Sequence, residues 1–160
     1  MQQATDQADF SPARAGPPPA TALVGLGRRI PAALIDGAVL LALLLAESIL
    51  LIVVFGVKVA NDVSTGDIPF FIVGAAIAWL YCAGMESGRR GATLGKRALG
   101  LEVLDLDGER PSFARASLRF MARALTFLVG WLWIPLTHRR QALHDLAAGT
   151  IVVRSSRRPN

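Results

Sequence analysis

The sequence predicts an α-helical membrane protein with a two-span helical hairpin, a short third interfacial or re-entrant apolar helix, and a small cytoplasmic β-ribbon. Three observations carry that prediction. Ile30 to Val57 is an apolar run long enough to cross a bilayer, and Ile68 to Met85 is a second run of 18 residues. Apolar residues make up 52% of the chain, yet 17 Lys and Arg stand against 12 Asp and Glu, and the mean hydropathy is +0.44. That mixture belongs to membrane spans joined by basic loops. Finally, Leu99 to Leu106 and Thr150 to Arg154 have the residue pattern of short strands.

A chain of 160 residues with at least two spans has room for one unit and no separate catalytic domain. Residues 1–22 are polar and Pro-rich and read as a disordered tail; 23–154 form the membrane domain and 155–160 a basic C-terminal tail. Spans are expected at about 30–57 and 68–85, with a third apolar segment at about 118–137. The first span lacks a small-residue cleavage pattern after it, so it is expected to be retained. In the second, Trp79 and Tyr81 stand where interface anchors stand, and Gly74, Ala75, Ala76, Ala78 and Gly84 allow close helix approach. Arg14, Arg28 and Arg29 precede the hairpin and Arg89, Arg90, Lys96 and Arg97 follow it, whereas Lys58 to Asp67 between the spans carries one Lys and two Asp. Both ends of the hairpin are therefore expected to face the cytoplasm.

The third run, Ala124 to Leu136, has 13 residues, or about 20 Å of helix against a hydrocarbon core of about 30 Å. Extended backwards, it gains Arg123, Arg119 and Arg115, whose four-residue spacing puts them on one side of a helix, able to snorkel at the membrane surface. A full crossing would carry Arg139, Arg140, Arg154, Arg157 and Arg158 outside, against the charge rule. An interfacial or re-entrant segment broken near Gly130 and Pro135, with Trp131 and Trp133 as anchors, avoids this; three full crossings stay open. The two strand-like stretches then pair as a ribbon, the first ending at an Asp107-Gly108 turn.

The chemistry centres on intramembrane charge. A carboxylate such as Asp36 costs about 2.5–3.5 kcal/mol inside a span, so it needs a partner or a job. At 100° per residue, Arg29, Asp36 and Glu47 fall within about 20° of one another on an ideal helix. Arg29 and Asp36 are about 10 Å apart along the axis, and a helix opening at Pro31 would leave Arg29 ahead of regular structure. Two function classes follow. In one, Asp36, alone or with Glu47, binds H⁺ or Na⁺ and a cation such as Arg29 tunes it. In the other, Asp36 is held by an Arg from another segment, such as Arg119 or Arg123, and the charges lock helix packing in a non-transporting scaffold or accessory subunit. A path from Asp36 to Glu47 is about 16 Å long, so a hairpin this small needs copies of itself or a membrane protein partner to shelter it.

Other chemistries are weakly supported. Cys82 is the only cysteine, which excludes an intrachain disulfide. His144-Asp145 lacks the further ligands of a metal hydrolase, with His138 the only other histidine. Gly91 to Arg97 fails the phosphate-loop pattern in both spacing and final residue. Lys96 and Arg97 are expected at lipid headgroups, Thr93 as a helix cap, and Gly95 and Gly100 as backbone accommodations. No enzyme activity, metal, cofactor or nucleic-acid partner is expected; the lipid bilayer is the expected partner, together with a homo-oligomer or membrane protein.

GRRIPAALID, then GRRGATLGKRALGLEVLDLDGERPSFARASLRF after the Tyr81 region, then RRQALHDLAAGTIVV resemble the RDD family of small bacterial membrane proteins in order and spacing over roughly residues 24–154. The family takes its name from an arginine at the start of the first span and two aspartates, and the resemblance implies a multi-pass protein of the bacterial plasma membrane. Arg29 and Asp36 match the first two by position, and Asp145 is the best match for the third. Arg28 is the rival arginine and Asp105 the rival aspartate. It also implies a suspected transport role, with Na⁺/H⁺ exchange proposed for some members, and supplies no substrate.

Overall fold

The first long helix is built inside out for water. The structure, a computed structural model, describes residues 22–55, 68–126 and 129–155. Helix α1 spans Leu26–Phe55, and along it Arg29, Ala32, Asp36 and Glu47 are buried while Leu34, Leu41, Leu45, Ile49 and Val53 are exposed. A soluble helix buries the opposite set; hydrocarbon surroundings favour this one. Because α1 begins before Pro31, Arg29 is a helical residue and the stripe includes it.

Helix α2, Ile68–Trp79, passes through a π-helical turn at Leu80–Gly84 into α3, Met85–Ser87. Two segments, Leu26–Val54 and Phe70–Ser87, are long and apolar enough to cross a membrane. They run antiparallel, since Asp36 meets Tyr81 whereas Leu44 and Glu47 lie against Gly74. A Cβ on Gly74 would sit 3.0 Å from Leu44 Cδ2, so the missing side chain is what lets α1 and α2 approach there. The π turn changes the helical phase at Leu80–Gly84, where Cys82 and Ala83 are buried.

The remaining elements form a layer over one end of this helix pair. Helix α4, Leu94–Ala98, lies on α1, and at Gly95 the backbones are so close that a Cβ would fall 2.1 Å from Ala32 O. Strand β1, Leu101–Asp105, pairs antiparallel with β2, Thr150–Arg154, in a register running from Leu101↔Arg154 to Asp105↔Thr150. Leu23 adds a bridge to Val153. One face of this ribbon closes on Val24 and Ala32 through Leu101, Val103 and Val152, which supplies the packing a lone strand pair lacks.

Helix α5, Phe113–Thr126, is followed by α6, Val129–Leu132, and a 3₁₀ turn at Ile134–Leu136. Gly130, expected near a break, lies inside α6, while Pro135 lies in the 3₁₀ turn. Helix α5 is also inside out: Ala116 and Arg119 are buried and Leu118, Met121 and Leu125 exposed. Helix α7, Leu143–Ala148, ends at Gly149 in the left-handed region (φ 61°), a conformation that favours glycine and lets β2 begin at once. The expected tail before residue 22, the Lys58 to Asp67 loop, the Trp131 side chain and residues 156–160 lie outside the described residues.

Candidate functional site

The start of α1, the end of α3, α4, α5 and α7 bring charged side chains into one buried layer. Arg29 joins three segments: its Nε donates to Val24 O (3.0 Å), Nη2 to Arg140 O (2.7 Å) and Nη1 to the Asp145 carboxylate. Arg140, whose carbonyl it receives, is the non-glycine residue among those described with a left-handed backbone (φ 48°). Asp145 Oδ2 also accepts the Ala142 amide at 3.1 Å, closing the first turn of α7, where helical amide dipoles favour a negative charge. Its other oxygen lies 2.7 Å from Arg119 Nη2.

Arg119 continues the chain of charges, with Nη1 3.5 Å from Glu86 Oε2, and Glu86 in turn pairs with Lys96. The sequence Arg29, Asp145, Arg119, Glu86, Lys96 therefore alternates in sign through residues no more than 9% exposed. Burial would raise the Asp145 pKa, but the Arg119 and Arg29 guanidinium groups outweigh it and hold the carboxyl below the ordinary range. Burial likewise works against the charge on Arg119, and Asp145 and Glu86 overcome it, leaving its pKa raised. Lys96 is pulled down by burial despite Glu86. His144 lies 3.5 Å from Asp145 through Nε2, and burial lowers its pKa to about 3, so the ring is neutral near pH 7.

Asp36 lies beside this chain, lining the same cleft as Arg29 and Lys96. Its Oδ1 accepts Tyr81 OH and the Gly95 amide, both at 2.7 Å, and Oδ2 accepts Thr93 Oγ1 at 2.6 Å. Three neutral donors thus compensate the carboxylate, while Arg119, one of the arginines expected to hold it, is paired with Asp145 and Glu86. Tyr81 is correspondingly turned inward to Asp36, not set as a membrane anchor, and Trp79 donates to Ser117 Oγ (2.9 Å) and packs on Phe113. Thr93 does stand at the N-cap of α4, but its hydroxyl goes to Asp36 and makes no capping bond. Glu47 is elsewhere: its Oε1 is buried against the hairpin with no hydrogen-bond partner among the described residues.

Several placements differ from the sequence expectation. Arg119 does not snorkel; it is 5% exposed inside the layer. Lys96 is buried on Glu86, while Arg97 Nε donates to Ala92 O at 2.8 Å. Of the rival residues, Arg28 is exposed, and Asp105 caps the turn after β1 and pairs with Arg115. Glu86 was not singled out by sequence. The signal for it was available: a carboxylate closing an apolar run, ten residues before a lysine, costs several kcal/mol unless it is paired. A cleft with about 30 Å³ of room for water opens into the layer, lined by Arg29, Asp36, Lys96, Arg119, Arg123 and His144 together with apolar side chains.

Long apolar helices whose buried stripe is charged, tied to a layer by alternating ion pairs, define a membrane protein built around embedded charge. A model described as RDD family matches residues 23–149, and the chain belongs to that family of membrane proteins. The chain is 37% identical over 67 residues to the uncharacterized protein RP437 of Rickettsia prowazekii, covering 41% of this chain and 38% of that protein. It is 32% identical over 89 residues to the uncharacterized protein YxaI of Bacillus subtilis, covering 54% of this chain and 58% of that one. The matches thus span less than two thirds of either relative. No solved structure matches the chain.

Proposed function

We propose that this protein is a non-enzymatic membrane scaffold or accessory subunit, a two-span hairpin with cytoplasmic termini, whose arginine and aspartates lock the spans to a cytoplasmic-side layer. The observation that carries this reading is that the charges are used up on one another. Arg29 is committed to Asp145, and all three hydrogen bonds of Asp36 come from neutral donors of α4 and the π turn. Of the roughly four acceptor positions of a carboxylate, three are taken here, so Asp36 is held by the fold and, unless α4 moves, has one position on Oδ2 left for a cation. The exposed apolar face of α5, with Leu118, Met121 and Leu125, fits a helix lying in the interface with Arg119 turned to the protein. Proteoliposomes driven by Na⁺ or pH gradients test it. Wild type and Asp36→Asn, matched for folded protein, are both expected to show no flux; flux that a folded Asp36→Asn protein loses would overturn the reading.

Glu47 favours a second reading. Its Oε1 is buried and unpartnered among the described residues, in the middle of the hairpin. In that reading a small cation, H⁺ or Na⁺, is carried or bound at Glu47, sheltered by a second copy of the chain or a membrane protein partner. Flux present in wild type, retained in Asp36→Asn and abolished in a folded Glu47→Gln protein would establish it in place of the scaffold.

A further inference from the structure

We propose that Arg28, Arg139 and Arg140 form a surface patch that binds anionic lipid headgroups, and that Arg140 couples this binding to the lock beneath it. The inference rests on the reading of the layer as lying at the membrane surface. Charge at this end of the helix pair is sorted by burial. In residues 22–36, 80–100 and 130–149 the carboxylates are Asp36, Glu86 and Asp145, and all three are buried. The exposed Lys and Arg side chains of the same stretches are Arg28, Arg89, Arg90, Arg139 and Arg140. None of these five joins an ion pair among the described residues.

The fold brings the three arginines of the patch together across more than 100 positions of sequence. Arg29 Nη2 donates to Arg140 O at 2.7 Å, so Arg139 and Arg140 lie beside the first turn of α1, which carries Arg28. Arg140 Nη1 reaches Leu23 O, just ahead of that turn, at 3.4 Å. The patch borders exposed apolar surface: Ile30 and Leu34 follow Arg28 along α1, and Trp133 and Leu136 precede Arg139. A lipid presents the matching pair of surfaces, an anionic phosphate above acyl chains, whereas a soluble acidic partner would satisfy the arginines alone. Arg140 is where the patch meets the lock. Its carbonyl accepts the buried Arg29, its guanidinium is at the surface, and its backbone is left-handed (φ 48°), a conformation that glycine and asparagine adopt more readily. Strain kept at a non-glycine residue points to a use for the side chain. Here the use is a charge held out to the headgroups by the same residue that holds Arg29.

The test uses the full-length protein in phosphatidylcholine bilayers, with spin-labelled phosphatidylglycerol or spin-labelled phosphatidylcholine as the probe and the motionally restricted fraction as the readout. Wild type is expected to favour phosphatidylglycerol by about fivefold at low salt, the equivalent of one arginine at an anionic surface, and to lose most of that preference in about 0.5 M salt. The double variant Arg28→Gln/Arg139→Gln, which leaves the bond from Arg29 to Arg140 intact, is expected to lose at least about half of it. The coupling is read in maltoside micelles, where phosphatidylglycerol is expected to raise the unfolding temperature of wild type and of Arg140→Lys but not of Arg140→Asn, which keeps the left-handed backbone and the carbonyl. Should Arg140→Asn unfold early without lipid, Arg140→Gly fits the same backbone and takes its place. No preference over phosphatidylcholine in wild type, or equal preference in wild type and the folded double variant, overturns the patch and leaves these arginines to an acidic protein. An equal rise in wild type and the folded Arg140 variant overturns the coupling. The scaffold reading is judged by ion flux, which neither measurement involves, so the two fail separately.

Discussion

Two parts of the same helix α1 treat charge in opposite ways. At its start, Arg29 is tied into a chain of alternating charges, and Asp36, one turn beyond Ala32, is wrapped by donors from the π turn and α4. Farther along, Glu47 is equally buried but faces only the apolar hairpin, with one oxygen unsatisfied among the described residues. The difference follows from what lies opposite. The layer of α4, α5, α7 and the ribbon covers only the first part of α1, and only there can polar groups be delivered to it. Embedded charge in this fold is therefore structural where the layer reaches and chemically available where it does not.

The largest test of that contrast is Arg119→Ala. Removing the guanidinium leaves Asp145 and Glu86 buried with one cationic partner each, Arg29 and Lys96, and loss of one member of a buried ion pair costs about 3–5 kcal/mol. Unfolding in detergent is expected to shift accordingly. A loss below about 1 kcal/mol would mean that water already solvates the layer. Gly95→Ala comes next. Its Cβ would fall 2.1 Å from Ala32 O and 2.9 Å from Asp36 Cγ, so α4 must lift from α1 and release two of the Asp36 donors. Overpacking of this kind costs about 1–3 kcal/mol. The variant is expected to lose stability and to expose Asp36 to carbodiimide labelling; unchanged labelling would show that α4 does not hold that carboxylate.

The pH dependence of stability sharpens the same contrast, because His144 sits in the layer and burial depresses its pKa from 6.5 to about 3. Between those values the unfolded chain takes up a proton that the folded protein refuses. Stability is then highest above pH 6.5 and falls as the pH is lowered, by about 1.4 kcal/mol per unit, or about 2 kcal/mol from pH 7 to pH 5. Lower still, Asp145 adds to the loss in the same direction, since its stabilisation vanishes as acid reaches its depressed range. Equilibrium unfolding of wild type and His144→Gln checks this: the slope between pH 6.5 and pH 5 is expected to flatten in the variant, and an equal slope in both would assign it elsewhere.

Local pattern made part of this legible. The stripe of Arg29, Asp36 and Glu47 follows from helical periodicity alone, and all three are buried on one helix. The β1–β2 pairing followed from residue type and the Asp107-Gly108 turn, and the register observed is antiparallel. The partner of Arg29 was not legible in that way: Asp145 is 116 residues distant, and nothing periodic connects them. Resemblance to the family singles out Asp145 as a residue, but not as the partner of Arg29. By sequence Tyr81 is an anchor, since an aromatic near a span end has that role by default, whereas the π turn, which no composition signals, brings its hydroxyl to Asp36. The four-residue spacing of Arg115, Arg119 and Arg123 placed them on one side of α5, but not which of them the layer would bury.

That last distinction yields the smallest expected effect. Arg115 and Arg119 are one turn apart on α5, and both are ion-paired, yet their environments differ. The Arg115 side chain is 47% exposed and lies 3.2 Å from Asp105, whose Oδ1 independently accepts the amides of Asp107 and Glu109. Water and those amides remain to solvate Asp105 when the guanidinium is removed. An exposed pair of this sort contributes at most about 1 kcal/mol, and salt screens it further. Arg115→Ala is thus expected to change unfolding stability by less than about 0.5 kcal/mol at moderate salt, beside a loss several times larger for Arg119→Ala. Similar losses for the two would mean that α5 is held by its arginines as a row, through the membrane surface, and not by the one arginine that enters the layer.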